Sequence, residues 1–314
     1  MWDAWDLERD ALLTAMPVDD PVQITAKKSG VDVVRNHGDT RITTGISLSP
    51  GARRLDFTAS VDWHQDEQLL KVDLPLAIQA RYAQFECQYG FIDRPIQKNN
   101  AAEEAQFESC THRFVRVRDD DLAVGVVNAS TYGGDTTPIP ADPAHGKEAG
   151  TLVRLTLLSA PVFPDPDTDR GHHEFAWSVV PNEDQNAVLA QAYRLNAPVF
   201  LDGLPDAEPL VSLDTTSGRL VIDWMKMADD GSGDLVIRVY DPDSSPARGC
   251  LKLGPLLKGA TVRETDSLEE SPLPDDLRHG LVDKGEVNAE GASLEFMPFQ
   301  FTTLRLHQPQ IIGK

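Results

Sequence analysis

Residues 61–76 read VDWHQDEQLLKVDLPL, from Val61 to Leu76. Trp63, His64, Asp66 and Glu67 are the residue types from which sugar-cleaving and metal-binding sites are made, so the stretch is either a site or a turn with polar residues. Counting outward settles the local reading. Upstream, Leu55, Phe57, Ala59, Val61 and Trp63 fall on odd positions, with Asp56, Thr58, Ser60 and Asp62 between them. That is the period-two pattern of a half-buried strand. After His64–Gln68 the apolar phase moves to Leu70, Val72, Leu74, Leu76 and Ile78. The pattern predicts two strands joined as a hairpin, with Trp63 in the core and His64, Asp66 and Glu67 solvated at the turn.

The same pattern recurs along the chain. Val115 and Val117, the turn Asp119–Asp121, then Leu122, Val124 and Val126 predict a second hairpin. Further strands are expected around Val153–Leu157 and Phe175–Val179. Only Asp184 to Leu195 has helical spacing, with Val188, Ala192 and Leu195 at i, i+4 and i+7, and Asn196-Ala197-Pro198 stops it. Leu201–Pro209, rich in proline and acid, reads as a linker. Beyond it, Leu220, Ile222 and Trp224 lead through the turn 229–233 to Leu235, Ile237 and Val239, another hairpin. The segment TDSLEESPLPDD reads as a loop, and strands interrupted at Pro298 close the chain. The expected architecture is all-β: a large antiparallel β domain, 1–203, and a small C-terminal β-sandwich, 204–314.

Composition narrows the partners. With 50 acidic against 29 basic residues and a formal charge of -21, the surface repels nucleic acid and anionic lipid, so neither nucleic acid nor membrane is an expected partner. Cys87, Cys110 and Cys250 have neither disulfide nor zinc spacing and read as buried thiols. The chain opens without a basic start and apolar run, and no stretch approaches the ~20 apolar residues that span a bilayer. A cytoplasmic location is expected.

Several blocks in fixed order carry a resemblance: WDAWDLE at Trp2, VDWHQDEQLLKVDLPL, CQYGFIDRP at Cys87, AQFESCTHRF at Ala105, VVNASTYGG at Val126, LVRLTLLSAPVFPDP at Leu152, GHHEFAWSVVP at Gly171 and AYRLNAP at Ala192. Together with GRLVIDWMKMADDGSGDLVIRVYD and MPFQFTTLRL, they resemble the C-terminal half of a family 38 glycoside hydrolase, an α-mannosidase of the cytosolic type. None is an active-site signature. The resemblance implies a mutarotase-like β supersandwich for the large domain. It also implies that the aspartate nucleophile and a divalent metal such as zinc belong to an N-terminal catalytic domain preceding WDAWD. The chain is then expected to be the noncatalytic β region, with no catalytic residue, metal site or cofactor of its own. Its implied partners are that catalytic domain and α-mannoside glycans, and self-association is left open.

In such enzymes the β half leans on the catalytic domain, which makes Tyr89, Asp93, Arg94 and Tyr132 candidates for substrate or domain contact. Arg94 is equally able to lock a turn through a carboxylate. Many relatives carry an arginine where LLSAP has Ser159, so a guanidinium contact is missing here. Trp63, Trp177 and Trp224 sit on the apolar phase of strands and are expected in the core. Trp2 and Trp5, among acidic residues at the start of the chain, are the docking-surface candidates. In the pair His172 and Glu174 the side chains share a strand face that His173 does not, which falls short of the three ligands of a zinc site. Two alternatives stand beside this reading. One is a free-standing carbohydrate-binding module, which needs an exposed aromatic platform. The other is a mutarotase-like enzyme, which needs His112 or His173 beside a carboxylate.

Overall fold

The computed structural model describes residues 3–129, 131–146, 148–181, 184–197, 208–269, 273–274, 277–282 and 291–307. The chain divides into two units: residues 1–87 with 92–199, and residues 88–91 with 200–314. Trp2 and most of the 201–209 linker lie outside the described residues. In chain order the elements up to residue 197 are α1 (Arg9–Leu13), β1 (Gln23–Lys27), β2 (Gly30–His37), β3 (Thr40–Ser47), β4 (Leu55–Trp63), β5 (Leu70–Leu76), β6 (Tyr82–Cys87), β7 (Gly90–Pro95), α2 (Ala101–Glu104), β8 (Ser109–Cys110), β9 (Phe114–Arg118), β10 (Ala123–Ala129), β11 (Gly133–Ile139), β12 (Gly150–Leu158), β13 (Gly171–Pro181) and α3 (Gln185–Asn196).

A nine-stranded antiparallel sheet runs β1-β2-β3-β4-β13-β10-β9-β6-β7, and a four-stranded sheet runs β5-β12-β11-β8. Their facing sides share one core, containing Val61, Trp63, Phe85, Val115, Val126, Val153, Leu155 and Trp177. The period-two reading of β4 holds: Ala59, Val61 and Trp63 are buried, whereas Thr58 and Asp62 are exposed. The hairpin does not. β4 pairs with β3 and β13, whereas β5 pairs with β12 in the other sheet, so His64–Gln68 cross the core as an arch. Alternation names the buried face of a strand and says nothing about its partner, and an arch keeps both apolar faces on the core as well as a hairpin does. The hairpin β9–β10 is present as expected, with Val115 opposite Val126 and Val117 opposite Val124.

The predicted helix is α3, whose Asp184 side chain accepts from the N–H groups of Asn186 and Ala187, satisfying donors that a helix start leaves open. The helix covers the second face of β9 and β10, which is why residues 114–117 are buried in succession. Val188 lies on Gly125, where an added Cβ would come within 2.5 Å of its Cγ1.

The remaining unit contains β14 (Val211–Ser217), β15 (Val221–Met227), β16 (Leu235–Tyr240), β17 (Ala247–Leu253), β18 (Thr261–Thr265), β19 (Ala292–Phe296) and β20 (Phe301–His307). Sheets β14-β17-β19 and β15-β16-β20-β18 close on a core of Ile237, Val239, Leu251, Leu294, Phe296, Leu304 and Leu306, a β-sandwich. The hairpin β15–β16 is present, but its register shifts between Ile222 and Trp224. Trp224 therefore leaves the core phase expected for it, lies half-buried and faces the Arg238 guanidinium at 4.8 Å. The cysteines also depart from expectation: Cys110 is exposed, and Cys87 and Cys250 are half-buried. Cys110 sits on β8, an edge strand of two residues.

Candidate functional site

The arch His64–Gln68 is tied down structurally. The His64 N–H donates to Thr40 Oγ1, the Glu67 N–H donates to Ala160 O, and Asp66 pairs with Arg170. His64 turns its ring to exposed Asp62 at 3.1 Å. His172 Nε2 and Glu174 Oε1 meet at 2.7 Å on one exposed face, as their spacing predicts, while His173 Nε2 lies 2.8 Å from Asp169 O. Among the described residues no group of three or more His, Cys, Asp or Glu could hold a metal ion.

Polar chemistry gathers instead where β6 ends, β9 begins and β11 begins. Glu86, on the helix-facing phase of β6, is buried. Its Oε1 accepts from Arg113 Nη2 at 2.6 Å and Nε at 3.0 Å, and its Oε2 from the Arg113 backbone N–H at 2.7 Å. The Arg113 guanidinium also stacks on Tyr193 of α3, 4.4 Å from the ring centre. Burial works against its charge, but the hydrogen bond and charge of Glu86 outweigh it and hold the arginine above its ordinary range. His112 Nδ1 is 3.0 Å from Glu86 Oε2 without the direction of a hydrogen bond. Its ring lies parallel to that of Tyr132, 5.9 Å away, and Tyr132 is 54% exposed. Beneath them, buried Asn128 donates to Thr111.

Of the sequence-derived contact candidates, Tyr132 stands in this cluster. Arg94 lies at its margin: its Nη1 donates to Gln106 Oε1 at 2.7 Å and its guanidinium covers Phe85, so an amide oxygen holds it instead of the carboxylate expected for a locked turn. Burial first, then Glu86 and Cys110, raise the Cys87 thiol, while Arg94 acts oppositely. Burial and then Arg94 lower Lys98. Asp93 is exposed on the other side of β7. Tyr89 does not join them; it packs in the second unit against Tyr240 and Phe301, at 5.0 and 4.9 Å. The Ser159 backbone N–H donates to Asp169.

Sequence reasoning missed Glu86, Arg113 and a second charged group on the outer face of the four-stranded sheet. There Arg154 and Lys71 both hold Asp135, and Lys71 also holds Glu108, at 2.6–2.9 Å. The available signal was charge at strand positions of the non-core phase, in ECQYG, LVRLTL and KVDL. The carboxylates of Glu86, Asp135 and Glu108 are each neutralised by a cation within hydrogen-bond distance. What the cluster offers a ligand is an exposed ring, a histidine edge and hydrogen-bonding groups, suited to a neutral polyol more than to proton transfer.

The N-terminal candidate is also placed. Trp5 is 66% exposed and leans on Phe163 with ring centres 6.5 Å apart, while Asp3 accepts from the Val162 N–H. Leu13, Met16, Val22 and Ile24 continue this exposed apolar run, and no residue of β1 is buried.

Comparison with known proteins adds an independent line. The profile described as Glycosyl hydrolases family 38 C-terminal domain matches residues 1–167, and that of the Glycosyl hydrolases family 38 C-terminal beta sandwich domain matches 219–304. The chain is 27% identical over 320 residues to the Homo sapiens protein named alpha-mannosidase 2C1, an alignment covering 97% of this chain and 29% of that one. It is 29% identical over 194 residues to a Saccharomyces cerevisiae alpha-mannosidase, covering 58% and 17% respectively. The chain thus spans less than a third of these curated relatives. In fold it is similar to the crystal structure of an alpha-mannosidase from Enterococcus faecalis V583, with TM-score 0.66, 16% identity, 92% of this chain and 35% of that chain.

Proposed function

Because the chain belongs to glycosyl hydrolase family 38, within that family's C-terminal domains, we propose that it works as the noncatalytic β region of an α-mannosidase. In this reading it scaffolds a catalytic domain carried elsewhere, which would hold the divalent metal, and the Tyr132–His112 rim borders the glycan. The observation that carries the docking role is the exposed apolar run Trp5, Leu13, Met16, Val22 and Ile24, beside a core that closes without it. Interfaces between domains of one chain commonly bury ~600–1,500 Å², and such a face left open favours association once charge is screened. A cytoplasmic location belongs to the same reading. It is supported by three cysteines with no disulfide among the described residues. Among those residues no helix is long and apolar enough to cross a membrane.

The test has two arms. Purified chain is expected to leave aryl α-mannosides intact with or without zinc or cobalt; metal-dependent turnover abolished by one carboxylate substitution in this chain would overturn the noncatalytic reading. In sedimentation velocity across a salt series, association is expected to grow with salt and to weaken in Trp5→Ser, whereas a monomer throughout would remove the docking face. The mutarotase alternative finds its histidine–carboxylate pair in His112 and Glu86. Arg113 already occupies both oxygens of that carboxylate through its guanidinium and its backbone N–H, and His112 Nδ1 meets it without the direction of a hydrogen bond. Anomerisation of freshly dissolved sugar, lost in His112→Ala, would restore it.

A further inference from the structure

The nine-stranded sheet ends in β1, which pairs with β2 on one side and with no described strand on the other. Of the four strands that edge this sheet and the sheet β5-β12-β11-β8, β5 contains Pro75, β7 ends in Pro95 and β8 has two residues. Proline and shortness both blunt an edge against further pairing. β1 has neither protection. Every residue from 21 to 29 is exposed, including Ile24 at 63% and Val22 at 42%. We propose that β1 is the interface of a twofold dimer, pairing antiparallel with β1 of a second copy so that the two nine-stranded sheets run on as one.

An open edge alone would accept any strand. What selects a second copy is the order of charges along the chain: residues 19–28 read DDPVQITAKK, acid before the strand and base after it. Antiparallel pairing reverses the partner. A twofold axis through Ile24 therefore sets Asp20 of each copy opposite Lys28 of the other, four residues either side of the centre. Lysines on an edge discourage pairing with most strands, and the reversed copy is the strand that answers them. Asp20 is already positioned, its Oδ2 lying 2.8 Å from His37 Nδ1. Lys27 is held by Asp32 of its own chain, so the intermolecular pair falls to Lys28.

The centre of the same register is apolar. Ile24 meets its own copy across the axis and Val22 lies opposite Ala26, on the same sheet face, because strand neighbours of like phase point the same way. Pro21 has no N–H to donate, so the ladder is short and the ion pairs stand at its two ends. Backbone bonds, apolar centre and ion pairs together oppose the general repulsion between two chains of formal charge -21. The proposal does not depend on the family role above, since the pairing uses the β1 edge and not Trp5, Leu13 or Met16.

Sedimentation equilibrium over a concentration series at one moderate ionic strength tests it. A monomer–dimer equilibrium that stops at the dimer is expected, since a twofold interface uses itself up. Lys28→Asp, which sets like charges opposite each other at both ends, should weaken the dimer about tenfold. Ile24→Lys, which places two lysines at the axis, should abolish it. Both substitutions are at exposed residues, and thermal melts of the monomers should match the parent. Trp5→Ser should leave the dimer unchanged, which separates this interface from the docking face. A monomer throughout, open-ended larger species, or a dimer indifferent to Lys28→Asp and Ile24→Lys would overturn the proposal. So would a dimer abolished by Trp5→Ser alone, which would move the association to the docking face.

Discussion

Two polar turns that look alike in the sequence are different objects in the structure. Residues 229–233, DDGSG, close a hairpin: the Ala228 N–H donates to Asp234 O, and Met227 stands opposite Leu235. Gly231 and Gly233 take φ of 72° and 85°, and Arg305 of β20 clamps the turn by pairing with Asp230 and Asp234, each at 2.6 Å. Residues 64–68, HQDEQ, contain no glycine and join two sheets. Their bonds go to Thr40, Ala160 and Arg170, and Glu67 takes φ of 50°. Tight hairpins need left-handed positions that glycine fills at low cost. Glycine is not obligatory, since β9–β10 closes through Asp119–Asp121 without one; what makes 64–68 an arch is that β4 and β5 take their partners in different sheets.

The largest expected effect follows from the arch. Trp63 is buried to 3% exposure between the two sheets, so Trp63→Ala should cost about 3–5 kcal/mol in denaturant melts by leaving a cavity. A loss under about 1 kcal/mol would mean that the sheets do not close on it.

Charge gives the second contrast. Glu86 is buried with a guanidinium on it, whereas Asp241 is buried with one oxygen accepting from the Asp243 N–H and the other without a partner. Burial raises the Asp241 carboxyl to about 6; the Asp243 N–H pulls it down, the Asp243 charge adds to the rise and Arg219 opposes it. The folded chain therefore keeps a proton that the unfolded chain has released, and this group's contribution falls as pH rises from about 4 to about 6. Asp241→Asn keeps the acceptor oxygen. Its stability gain over the parent should grow across that window and level off near pH 7, on the order of 2 kcal/mol. A difference independent of pH would show that Asp241 is ionised throughout.

Smaller effects separate the turns themselves. Gly231→Ala places a side chain at a left-handed position and should cost about 1 kcal/mol; no cost would mean that the hairpin turn relaxes. His64→Ala, at the exposed crest of the arch, should change stability by about 0.5 kcal/mol or less. A large loss would show that its contact with Asp62 bears on the crossing.

Much of the fold was legible because period is local. The faces of β4, β9, β10 and β12, the hairpins β9–β10 and β15–β16, and the helix α3 each follow from residues within a few positions of one another. Less of the candidate site was legible. Tyr132 was reachable through the family resemblance, but Glu86, Arg113 and Lys71 became visible only as charges brought together from separate strands. Trp224 was misread because a one-residue bulge reverses a phase without altering the composition of the strand.

The sequence by itself determined the class of element, the buried face of most strands, the acidic surface and the family. Tertiary structure alone decided that β4 pairs with β13 and not β5, and that Arg113 takes up the Glu86 carboxylate beside His112. The physical reason is range. Alternation, caps and turn glycines are settled by neighbours along the chain, whereas strand partnership and charge pairing depend on which distant segments can bury their faces together.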